Sequence, residues 1–136
     1  MASHFDSSGH PNGWSSRAGF FGVYLAMTVV LALVFLAMPM TFRRFPRSVV
    51  SLPRRDYWLA PERVEATSRF IESRMLLFGI VTLVFEILVL QLAISANLGD
   101  EPRLPSAPTY LMLVGYFAFT GIWLYRFITH FTRRPV

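Results

Sequence analysis

The 136 residues contain no cysteine, and all thirteen basic residues are arginine. Without cysteine there are no disulfides, no thiolate metal ligands and no thiol nucleophiles. The sequence also has no Gly-rich phosphate loop, no nucleophile at a fixed spacing from a base, and no dense set of metal ligands. The first seventeen residues are polar and lack the apolar core of a cleavable signal peptide. No enzyme motif survives these absences. The expectation is a protein without catalytic chemistry, cofactor or metal.

What is present is apolar residues, 54% of the chain, gathered into long runs. That is too apolar for a soluble domain of this size. Residues 18–42 are uncharged throughout. As a helix they would span about 37 Å, against a hydrocarbon core of about 30 Å. A second helix is expected over 61–97, amphipathic at first and membrane-crossing from Met75 to Ala96. A third is expected over 108–131. The predicted class is therefore all-α: an integral membrane protein with three transmembrane helices in an antiparallel bundle. The segments between are an outer loop over 1–17, an inner loop over 43–60 and an outer loop over 98–107.

The net charge of +5 does not point to nucleic acid, because the arginines bracket apolar runs instead of lining a soluble face. The partner they imply is a bilayer with anionic headgroups, each arginine near the surface contributing about 1 kcal/mol. Eight arginines fall between Arg43 and Arg74 and three more in the last eleven residues, against only Arg17 and Arg103 on the other side. Eleven against two in short loops places the N-terminus outside and the C-terminus inside.

Local signals fill in the frame. Residues 1–17 read as a turn-rich loop, with Asn12-Gly13 as the turn signal and Trp14 at the membrane interface. His4, Asp6 and His10 are metal-ligand types, but on a glycine-rich loop they lack the rigid geometry a site needs. Gly22 and Ala26 form a small-xxx-small pair suited to close helix contact. Pro61 is expected at the first position of the second helix, with Glu62 and Glu65 in its first turn. Asp56 is expected to pair with Arg54, Arg55 or Arg63, and Tyr57 and Trp58 to sit at headgroup level. His130 reads as structural, near the end of the last helix.

Glu86 stands apart as an ionisable residue about halfway along the second span. An ionised carboxylate facing lipid there would cost several kcal/mol. Glu86 is therefore expected to face the bundle interior, to carry its proton, or both. Tyr116, Thr120 and Thr28 are its candidate partners.

Two patterns carry a family resemblance. The first is His4-Phe5-Asp6, then Gly9, then Pro11-Asn12-Gly13-Trp14 and an apolar helix. It resembles a widespread bacterial membrane domain with no assigned activity. That domain also forms the N-terminal half of the immunity protein against a sporulation-delaying peptide toxin. The second, Leu52-Pro53-Arg54-Arg55-Asp56-Tyr57-Trp58-Leu59-Ala60-Pro61-Glu62-Arg63, is similar to an inter-helix motif of larger members. The resemblance implies a bacterial cytoplasmic (inner) membrane and a protein of the interaction, immunity or signalling type. It also implies a further helix before the His-Phe motif, so the expectation is either a three-helix member or a four-helix architecture lacking its first helix.

The candidate functional residues are Glu86, His4, Asp56, Tyr57, Trp58, Glu62 and Arg63. Candidate partners besides lipid are a membrane protein, a peptide or a second copy of the chain. Two alternatives are an accessory subunit of a larger membrane complex and a transport or proton-relay protein built on Glu86. A transporter needs several polar groups converging on a path. The spans offer Glu86, Gln91, Thr28, Thr82 and Thr120.

Overall fold

The computed structural model describes residues 1–41 and 50–132, with only the backbone over 38–41. Arg43, Arg44, Arg47, Arg133 and Arg134, which enter the charge count, lie outside the described residues. In order the elements are β1 (Ala2–Phe5), β2 (Pro11–Trp14), α1 (Arg17–Thr41), α2 (Arg55–Trp58), α3 (Val64–Ala96) and α4 (Ser106–Thr132). α1, α3 and α4 are each long and apolar enough to cross a membrane. The fold is all-α, with one small hairpin.

α3 is the middle helix, packed antiparallel against both others. Against α1, Thr28 meets Glu86 and the Phe35 ring meets that of Phe78. Against α4, Tyr116 stacks on Phe85 and His130 on Phe70, and the Trp123 ring lies tilted, 4.7 Å from that of Phe78. The outward faces remain apolar: Val23, Leu25, Leu111 and Phe117 are each about two-thirds exposed or more. In water that would be a very large apolar patch; in a bilayer it is the surface that meets lipid.

With lipid as solvent, apolar contact alone does not drive helices together, so close approach and interhelical hydrogen bonds must. The close approach is at Gly79. A Cβ there would lie 2.6 Å from Phe35 Cβ, so α1 rests directly on the α3 backbone. The small pair expected to do this does not, since nothing lies within 4 Å of where a Cβ on Gly22 would be. Gly22 lies on a face of α1 turned away from its neighbours.

The N-terminal segment is a hairpin and not the loop expected. Its turn is Asp6–Gly9, where the Gly9 amide donates to Asp6 O at 3.0 Å and the Asp6 amide to His10 O at 2.9 Å. Asn12-Gly13, the expected turn, lies inside β2. The Asp6 side chain decides this, because Oδ1 accepts from the amides of Ser8 and His10 at 2.8 and 2.9 Å and so winds the turn around itself. Gly9 completes it at φ +81, with the Leu104 carbonyl where a Cβ would need to stand.

The connection from α1 to α3 also differs. Pro61 is not the first residue of α3; it lies in a turn before Val64, with Arg63 as N-cap. The Ala60 carbonyl accepts from both Arg63 and Val64, so the chain is already turning there. Arg63, at φ −120, interrupts the helical path until Val64. Glu65 remains in the first turn and pairs with Arg69 at 3.2 Å, but Glu62 does not belong to the helix.

Candidate functional site

The structure distributes the candidate residues over three levels. Glu86 is at mid-span, His4 is on the hairpin beyond one end of the helices, and Asp56, Tyr57, Trp58, Glu62 and Arg63 lie beyond the other. Glu86 is 22 residues from the start of α3, about 33 Å along the axis, so these groups do not form one site.

Glu86 is 5% exposed and faces α1. The Thr28 hydroxyl donates to its Oε1 at 2.9 Å, and the same hydroxyl is 2.9 Å from the Tyr24 carbonyl one turn back on α1. A hydroxyl has one proton. When Thr28 gives that proton to the Tyr24 carbonyl, the contact to Glu86 requires the carboxyl to donate. Oε2 is buried and has no hydrogen-bond partner among the described residues.

Of the three partners expected for Glu86, the structure supplies Thr28 alone. Tyr116 instead shares a hydrogen bond with Thr82, 3.0 Å away and one turn earlier on α3. Thr120 adjoins Phe119, which stacks on Phe78. Phe78 lies eight residues before Glu86, about 12 Å along α3, and the Thr120 hydroxyl is buried without a partner. The α3–α4 register therefore carries both residues past the carboxyl.

At the α2 end of the bundle, α2 is held onto the last turn of α4. The Trp58 indole N–H donates to the Phe131 carbonyl at 3.1 Å, satisfying one of the open carbonyls of the helix end. The buried Thr67 hydroxyl donates to Trp58 O at 2.8 Å, and the Trp58 ring lies 5.0 Å from His130. His130 in turn stacks on Phe70 at 3.7 Å. Tyr57 carries the Arg63 guanidinium over its ring at 4.1 Å. Asp56 is 3.6 Å from Arg55 and Glu62 is 3.9 Å from Arg63. These pairs are exposed and contribute about 0–1 kcal/mol.

At the opposite end, the hairpin closes over the α3–α4 connection. Asn97, just past α3, accepts from the Ala2 amide at 2.7 Å and donates to the Ala2 and Ala93 carbonyls at 3.0 and 2.8 Å. The Leu104 amide donates to Gly9 O at 2.9 Å, and the Tyr110 hydroxyl to Ser7 O at 3.1 Å. His4 lies 3.2 Å from the Ser3 hydroxyl, against Gly13. Among the described residues no three His, Asp or Glu side chains gather where they could hold a metal. Asp6 has its pKa lowered, chiefly by the His10 amide. The signal for Asn97 was present in the sequence as a helix-stopping Asn-Leu-Gly, but its partner is 95 residues away.

A comparison of the chain with family models, curated proteins and solved structures finds no match.

Proposed function

We propose that this chain is a small multi-pass protein of the bacterial inner membrane, of the interaction, immunity or signalling type, with no catalytic chemistry of its own. The observation that carries this reading is where its polar side chains are committed. Thr28 meets Glu86, Thr82 meets Tyr116, Trp58 meets Phe131, and Asn97 meets Ala2. Each contact joins two elements of the fold. The resemblance of the hairpin and inner segments to an immunity-protein domain supports the same class, and so does the arginine asymmetry for a C-terminus inside.

Glu86 acts in this reading as a neutral carboxyl joining α1 to α3. One hydroxyl partner does not offset the cost of an ionised carboxylate at this depth. Deleting the gene should raise sensitivity to membrane-active peptides, or the tagged protein should recover a defined membrane partner from native membranes. Unchanged sensitivity together with no co-purifying partner would overturn the proposal.

The unpartnered Oε2 favours a second reading, in which Glu86 binds and releases a proton. An intact fold with loss of the gene's phenotype on Glu86→Gln would select it.

A further inference from the structure

An open groove of about 330 Å³ runs between the halves of α3 and α4 nearest α2. Its walls include Arg74 and Leu77 from α3 and Ile122, Trp123 and Arg126 from α4. The Trp123 indole N–H donates to the Arg74 carbonyl at 3.1 Å, which fixes the register of the two walls. It sets Arg74 and Arg126 at the same level, where the apolar run of α3 begins. Leu77 and Ile122 follow one turn deeper. The two cations therefore sit between a rim of Phe70, Phe127 and His130 and an apolar end at Leu77 and Ile122.

Among the described residues no Asp or Glu lines it, and no ion pair includes Arg74 or Arg126. The Arg74 guanidinium is held 5.2 Å above the Phe70 ring at the rim. Planar guanidinium forks match phosphate oxygens in a way that a point charge does not.

We propose that this groove binds one anionic phospholipid, with the phosphate on Arg74 and Arg126 and an acyl chain along Leu77 and Ile122. Charge complementarity selects the headgroup, and the order of cations and apolar end matches the order of head and tail. The proposal rests on the chain crossing a bilayer, but not on its orientation or on any protein partner.

The test uses the full chain, purified in detergent, and native mass spectrometry with equimolar phosphatidylglycerol and phosphatidylcholine of matched acyl chains. The wild type should retain phosphatidylglycerol selectively. Arg74→Gln/Arg126→Gln should weaken that retention by roughly fivefold for each arginine removed. Ile122→Trp, which fills the apolar end and leaves the charges in place, should weaken it as well. Arg55→Gln/Arg69→Gln, with the same charge change away from the groove, should leave it intact, as should an excess of soluble glycerol phosphate. Equal retention of both lipids, an equal loss in the control pair, or displacement by glycerol phosphate with no effect of Ile122→Trp would overturn the site. Reconstitution into vesicles separates the two claims. A chain that does not insert sinks the membrane reading and the groove together, whereas a chain that inserts but shows no lipid preference sinks only the groove.

Discussion

Replacing Gly79 with alanine tests the contact that brings α1 onto α3. The added Cβ would sit 2.6 Å from Phe35 Cβ and 2.7 Å from Phe35 Cγ. Carbon atoms pack best at about 3.5–4.0 Å, so the site is about 1 Å too tight. The obstructing atoms are the root of the Phe35 side chain and not its flexible tip, so the helices themselves must separate. Overpacking of this kind costs about 1–3 kcal/mol. Alanine also gains about 1 kcal/mol over glycine in a helix, which obscures the loss in a single variant. Gly22→Ala removes that ambiguity, because it makes the same gain with nothing within 4 Å. The propensity terms cancel, and Gly79→Ala should be less stable than Gly22→Ala by about 1–3 kcal/mol. Reversible unfolding in mixed micelles on raising the fraction of denaturing detergent measures the difference. Equal stabilities would refute the close approach at Gly79.

Three further outcomes follow from the hydrogen bonds. Asn97→Ala removes two bonds that seat the hairpin, each contributing about 0.5–1.5 kcal/mol, and should open the N-terminal segment to protease while leaving helix content unchanged. The Asp6 turn should depend on pH. Its carboxyl is held below the ordinary 3.8, so the stability it adds is complete above that value and is lost as pH falls through the lower folded pKa. The amide chemical shift of Ser8 should stay constant down to that range and then move, and a shift that does not change with pH there would contradict the assignment. Glu86→Gln keeps a group that can bond Thr28 and should fold like the wild type. Glu86→Leu should cost about 1 kcal/mol in the same unfolding assay, and equal stability of the two variants would show that the bond contributes nothing.

The membrane helices were legible because about twenty successive apolar residues have few alternatives to a spanning helix. The expected 18–42, 61–97 and 108–131 compare with Arg17–Thr41, Val64–Ala96 and Ser106–Thr132. Helix register was not legible. Thr28 as a partner of Glu86 could be named from depth alone, but Tyr116 and Thr120 fall one and two turns away once α4 packs on α3. Gly22 and Gly79 look alike in sequence, and only the packing tells which one faces a neighbour. The hairpin gave little signal. Its strands are four residues long, one contains both Pro11 and Gly13, and its docking depends on Asn97 near the other end of α3.

The central claim is that the chain crosses the bilayer three times, with the hairpin and the α3–α4 connection on one side and α2 on the other. Because the sequence has no cysteine, single introduced cysteines report without background. Ser8→Cys, Gly99→Cys and Glu62→Cys can be labelled in intact cells with a membrane-impermeant thiol reagent. The account predicts that Ser8→Cys and Gly99→Cys are labelled and that Glu62→Cys is labelled only after the membrane is opened. Labelling of all three positions from outside, or of Ser8→Cys and Gly99→Cys on opposite sides, would contradict it.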